Sequence, residues 1–177
     1  MLCVFKDFIL HQNFKPDAMK SRLEMIKTEI LAKYPEWENK LKFIDFLSGR
    51  EHGVGSPYVV VETPYALHKV SVGNLRKGNY PTIKTAIDKE LYERNYNAAK
   101  IKELSNELYH LKPEWENKLQ LIQYFPGKYL SLNDGRKLSD GPFLKVLTEF
   151  GVHVVPVARL KKGYYPGKNS AIELFAP

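Results

Sequence analysis

The sequence predicts an α+β protein built as a tandem duplication, each repeat holding two amphipathic helices, a β-hairpin and a helix-turn-helix-like end. Three observations predict it. The heptapeptide Pro-Glu-Trp-Glu-Asn-Lys-Leu occurs at 35–41 and again at 113–119, and holds both tryptophans. Upstream at the same offset, Leu23, Ile26 and Ile30 match Ile101, Leu104 and Leu108, apolar at helical spacing in both places. Downstream, 61–87 aligns without gaps to 146–172 with 12 of 27 positions identical, and self-similarity of this kind outranks any single motif. The implied organisation is an N-terminal segment over 1–17, repeat 1 over 18–97 and repeat 2 over 98–177.

Within repeat 1, Asp17 is placed to cap a helix whose apolar face is Met19, Leu23, Ile26 and Ile30. Pro35 stops that helix and suits the first turn of a second, which carries Trp37, Leu41 and Ile44. On that stripe the indoles are expected to fill a small core rather than stack on a ligand, and Glu36, Glu38, Glu114 and Glu116 are the acidic first turn that a helix dipole favours. A loop is expected over 49–56, then two β-rich runs from Tyr58 to Val70 bent at Thr63-Pro64. Ser71 or Asn74 starts a short helix ended by Gly78, which permits a left-handed turn, and a further helix begins near Pro81. The order recurs from Ala98, with Leu104, Leu108 and Leu111 as the first stripe. The stretch 127–141 of the second copy is extra, a longer loop or an additional hairpin.

The chain has 177 residues, 44% of them hydrophobic and 27% charged, the balance of a soluble globular protein with one ordinary core or two small ones. No apolar run approaches the roughly 20 residues that span a bilayer, so no membrane partner is expected. The apolar start carries Lys6 and Asp7 and does not read as a secretory signal. One cysteine, Cys3, leaves no internal disulfide and no cysteine-built zinc site, which suits a reducing, cytoplasmic compartment.

Charge placement is more informative. Between His68 and Lys89 lie Lys69, Arg76, Lys77, Lys84 and Lys89 against Asp88, a net +4; between His153 and Glu173 lie Arg159, Lys161, Lys162 and Lys168 against Glu173, a net +3. These two segments equal the whole formal charge of +7. A basic excess concentrated twice at matching places is the footprint expected of a phosphate-binding surface. Tyr80, Tyr164 and Tyr165 flank the turns as candidates for stacking or sugar contacts. His11, His52, His68, His110 and His153 are scattered, and no metal-binding set, glycine-rich phosphate loop or base beside Cys3 is found. His68 and His153 occupy matching positions and are expected as partly buried strand histidines rather than as contacts to a phosphate or a base edge. No catalysis, cofactor or metal is expected.

The run Val70-Ser71-Val72-Gly73-Asn74-Leu75-Arg76-Lys77-Gly78, followed by Pro81-Thr82-Ile83-Lys84-Thr85-Ala86-Ile87-Asp88-Lys89, resembles the repeated DNA-contacting modules of phage-type homing endonucleases whose nuclease domain is like the very-short-patch repair enzymes. The resemblance covers roughly 35 residues of the first copy, including Gly53-Val54-Gly55-Ser56. The second copy departs from it, with Gly167-Lys168-Asn169-Ser170 in place of Thr82-Ile83-Lys84-Thr85. It implies a double-stranded DNA partner, a bacterial host cell and a possible phage origin. Arg76 and Lys77 would hold backbone phosphates, and Thr82, Lys84 and Thr85 would face the major groove from the following helix. Two other classes remain open: a phage structural, assembly or host-interaction protein that binds a protein partner, and the accessory subunit of a nuclease that acts with a catalytic chain.

Overall fold

The computed structural model describes residues 16–49 and 56–174. Among them are four α-helices and three small antiparallel sheets, an α+β arrangement. The chain divides into two compact units, Met1–Glu93 and Arg94–Pro177.

Unit 1 begins with α1 (Pro16–Lys33). Its buried residues, Ile26 and Ile30, follow the 3.6-residue period, with Met19 and Leu23 packed at the margin of the same core. Asp17 stands inside the first turn rather than ahead of it, where the helix dipole favours a carboxylate. After Tyr34, Pro35–Trp37 form a 3-10 turn with proline at its start. The second amphipathic helix is not there. The Leu41 N–H closes onto the Trp37 carbonyl at 2.8 Å, and the chain then extends as β1 (Lys42–Leu47). Phe43 and Phe46 of this strand pair with Val61 and Val59 of β2 (Tyr58–Glu62). A bulge between Phe43 and Asp45 leaves Ile44 exposed, so it joins no helical stripe.

The β2 strand pairs in turn with β3 (Leu67–Ser71), and the expected hairpin turns at 63–66. Val59, Val61, Val70 and His68 point to the core, while Val60, Glu62, Leu67 and Lys69 do not. Ser71 caps α2 (Val72–Arg76), its hydroxyl accepting from the Asn74 N–H. Gly78, at φ 84°, ends it in the left-handed region. Ile30, Trp37, Leu41, Val59, Val61 and Leu75 form the centre of this core. Trp37 lies between Tyr34, stacked at 4.5 Å, and the edge of Tyr80 at 5.3 Å. The expected loop over 49–56 lies, save for its ends, outside the described residues, as do Cys3, His11, His52 and the segment Gly53-Val54-Gly55.

The α3 helix (Lys89–Leu111) contains both the division between the units and the 97/98 repeat boundary expected from the sequence. In unit 2 it buries Leu104 and Leu108, whereas Leu111, assigned to the stripe, is half exposed. A 3-10 turn, Pro113–Trp115, follows in place of a second helix and leads into β4 (Gln120–Phe125). Here too a bulge, between Leu121 and Gln123, turns Ile122 outward. The extra stretch forms a small hairpin, β5 (Leu130–Ser131) with β6 (Lys137–Leu138). The β7 strand (Phe143–Thr148) pairs with β4 and with β8 (Gly151–Pro156), α4 (Val157–Lys161) follows, and β9 (Glu173–Leu174) pairs with β8. Trp115 is buried with Leu108, Leu119, Leu144, Val146 and Leu160.

Candidate nucleic-acid interface

The stretch expected to be a groove-facing helix is short. Thr82 is extended (φ −128°, ψ 179°), and only a 3-10 turn, Ile83–Thr85, follows. Its closure explains why it stops. The Thr85 hydroxyl accepts from the Thr82 N–H at 3.2 Å and donates to the Thr82 carbonyl at 3.0 Å, which competes with continuation of a helix. Ala86 then bridges to His68, and the Ile87 N–H donates to the Leu67 carbonyl at 2.9 Å, holding the chain against β3. The helix-turn-helix-like end is thus a five-residue helix, a glycine turn and a 3-10 turn. In unit 2 the corresponding stretch is again a 3-10 turn, Lys168–Ser170, closed by the Ser170 hydroxyl donating to the Gly167 carbonyl at 2.9 Å.

A fully buried histidine anchors each turn. The Nε2 of His68 lies 2.9 Å from the Thr63 hydroxyl and its Nδ1 3.1 Å from that of Thr85. For His153 the partners are Thr148 at 2.8 Å and Ser170 at 3.0 Å. Because the Thr85 and Ser170 hydroxyls donate to carbonyls, they accept from the rings. The Thr63 and Thr148 hydroxyls lie closer to Nε2, at 2.9 and 2.8 Å, than to the Ala66 and Gly151 carbonyls, at 3.3 and 3.5 Å, so they donate to the rings, and Nδ1 carries the proton. Burial lowers both pKa values below the ordinary histidine range; a hydrogen bond toward the Thr82 backbone opposes this at His68, and one toward Ser170 with the Glu149 charge opposes it at His153. Both rings are members of the scaffold, buried more completely than the sequence suggests, with no exposed edge to offer a ligand.

The cations divide into two kinds. Arg76, at the end of α2, binds Glu29 of α1 through Nε at 2.8 Å and a second guanidinium nitrogen at 2.9 Å. This lowers the Glu29 pKa and raises that of Arg76. Lys161, at the end of α4, binds Glu107 of α3 at 2.7 Å. These two cations stitch elements within their own units. Lys77, Lys84, Lys89, Lys162 and Lys168 are exposed and have no ion-pair partner among the described residues. Lys69 stands exposed on β3 with its ammonium 5.4 Å from the centre of the Tyr58 ring, and Arg159 lies 6.0 Å above that of Tyr164. Lys89 is the first residue of α3, whereas Lys84 belongs to the 3-10 turn before it. Thr82 is exposed, whereas the hydroxyl of Thr85 is consumed by the turn and by His68.

Tyr80 and Tyr165 are mostly structural. The Tyr80 hydroxyl donates to the Lys40 carbonyl at 2.8 Å; that of Tyr165 reaches the Lys118 carbonyl at 2.9 Å and the Glu149 carboxylate. Tyr164 is 63% exposed and is the tyrosine of the three left available for stacking. The sequence missed the Glu29 and Glu107 partners, which sit 47 and 54 residues from their cations. Their only signal was that both acids lie on the outer side of a helix whose inner side was legible. Among the described residues no group of three or more His, Cys, Asp or Glu side chains is arranged to hold a metal ion, and no helix is long and apolar enough to cross a membrane.

No protein-family model matches the chain, and neither a curated protein nor a solved structure matches it.

Proposed function

We propose that the protein binds duplex DNA through two exposed lysine-bearing turns, one in each of two units produced by tandem duplication, and has no catalysis of its own. One observation carries this reading. After each short helix, Lys77 or Lys162 and then Lys84 or Lys168 extend from a rigidly closed turn, exposed and unpaired, while the neighbouring Arg76 or Lys161 is neutralised by a glutamate. Cations that served only the fold would be paired like those two. Lysines fixed to a hydrogen-bonded turn neutralise phosphates at a lower ordering cost than lysines on a free loop. The resemblance of 70–89 to DNA-contacting modules of homing endonucleases supports the same reading, although it implied a groove-facing helix where a 3-10 turn, Ile83–Thr85, stands.

The duplication is supported by more than sequence. Within each unit a helix leads through a Pro-Glu-Trp turn and a bulged strand to a hairpin, a five-residue helix and a 3-10 turn, with a buried histidine tying the hairpin to that last turn.

The test is an electrophoretic binding assay on random-sequence duplex at 50 and 200 mM salt. Four phosphate contacts give a slope of log K against log salt of about −3.6, a loss on the order of 10²-fold over this range. Absence of binding at low salt, or binding that does not change with salt, would overturn the proposal and leave an acidic protein partner as the remaining reading.

A further inference from the structure

The turn after α2 is closed by two backbone bonds, from the Gly78 N–H to the Leu75 carbonyl at 3.0 Å and from the Asn79 N–H to the Asn74 carbonyl at 3.1 Å. This is a Schellman closure, which brings together the residue after the glycine and the residue four before it, and those two side chains usually make an apolar contact. Here both are asparagines. Both are exposed, and neither carboxamide has a hydrogen-bond partner among the described residues. Asparagine is also a poor residue inside a helix. Stability accounts for neither.

The turn after α4 has the same closure, from the Gly163 N–H to the Leu160 carbonyl at 2.8 Å and from the Tyr164 N–H to the Arg159 carbonyl at 3.1 Å. The same two positions now hold Arg159 and Tyr164, which do pack on each other, guanidinium over ring. The two turns share a backbone and differ in what they present. One offers two unengaged carboxamides, the other a cation on an aromatic face.

We propose that Asn74 and Asn79 are the base-reading pair of this protein and that they recognise an adenine edge in the major groove; this rests on the duplex-DNA reading above. A carboxamide carries one acceptor and a two-hydrogen donor side by side, the complement of adenine N6 and N7. Lys77, exposed between them in the chain, fixes the register by holding a phosphate. Of the readers that the sequence suggested, Thr82, Lys84 and Thr85, the last has no hydroxyl left to offer. Arg159 and Tyr164 supply charge and a stacking face but no base-specific donor and acceptor pattern, so unit 2 adds affinity without selection.

The experiment is selection from a random duplex pool with the full chain, followed by titration of the enriched and random duplexes. The wild type enriches a motif with at least one fixed A·T pair. Asn74→Ala with Asn79→Ala lowers affinity for that motif about 5- to 100-fold, to the level of random duplex, and leaves random-duplex affinity nearly unchanged. Lys77→Ala weakens both duplexes equally. Asn74→Arg with Asn79→Tyr, which transplants the pair from unit 2, binds random duplex at least as tightly as the wild type and selects nothing. Thermal melting of each variant identifies any loss of fold, and the transplant keeps the test decisive if the double alanine variant unfolds. Survival of the motif in a folded Asn74/Asn79 variant overturns the inference. So does a wild type that binds with steep salt dependence yet enriches no motif; in both cases DNA binding itself stands. A wild type that shows no salt-dependent duplex binding overturns both.

Discussion

His68 and His153 are fully buried, and each ring nitrogen meets a hydroxyl whose other bonds are already assigned. Protonation gives Nε2 a hydrogen that points at the lone pairs of Thr63 or Thr148, and at Thr63 these already accept from the Tyr65 and Ala66 N–H groups. The edge of Tyr92 faces His68 at 5.6 Å, and Glu149 is the charge that acts on His153. With folded pKa values lowered, the unfolded chain binds more protons than the folded one as pH falls below about 6.5, the ordinary histidine value. Stability is therefore complete above that value and is lost as pH falls through it toward the folded pKa. The urea midpoint should be lower at pH 5 than at pH 7.5, and His68→Gln with His153→Gln should reduce that difference; equal midpoints for the wild type would show that the rings accept protons freely. The positions of these histidines were legible in the alignment of 61–87 with 146–172. Their partners were not, because Thr85 and Ser170 lie 17 residues away and a hydroxyl that closes a turn looks the same in sequence as one that faces a groove.

The elements most clearly legible were those whose period and punctuation agreed: α1, the β2–β3 hairpin and α2 with its glycine end. The second helix was misread because Trp37, Leu41 and Ile44 have helical spacing, while the partner that overrides it, the valine-rich β2, lies further along the chain. Local pattern fixed which residues are buried, Trp37 and Leu41, but not the backbone that buries them. The indole core makes a direct prediction. Trp37→Ala removes the ring held between Tyr34 and Tyr80 and should cost about 3–5 kcal/mol, read from the urea midpoint; a cost below about 1 kcal/mol would contradict its place in the core. Gly78 makes a second. At φ 84° a side chain is strained, and a Cβ there would lie 2.9 Å from the Tyr34 hydroxyl oxygen. That hydroxyl donates to the Arg76 carbonyl at 3.1 Å, so Gly78→Ala should destabilise by about 1–3 kcal/mol and loosen the turn that carries Lys77. A variant as stable as the wild type would mean that the turn has an alternative closure.

Across the molecule, the formal charge of +7 was legible in number and in place, but its division into structural and exposed cations was not. That division decides what a salt titration should read. Phosphate contacts contribute about 0.9 each to the slope of log K against log salt, whichever turn supplies the cation. Lys77→Ala with Lys84→Ala should lower the slope by about 1.8, and Lys162→Ala with Lys168→Ala by a similar amount. Arg76→Ala and Lys161→Ala should leave it nearly unchanged. Their loss falls on the fold instead, at about 0.2–1 kcal/mol for each exposed pair, because water already screens most of the attraction. Removing the acid gives the complementary result: Glu29→Gln frees the Arg76 guanidinium, so affinity for random duplex should rise or hold while the melting temperature falls slightly. A slope that dropped with Arg76→Ala and stayed level with Lys77→Ala would exchange the two roles. The glutamate would then be a placeholder for phosphate, and the DNA surface would run along the junction of α1 and α2 rather than along the turn.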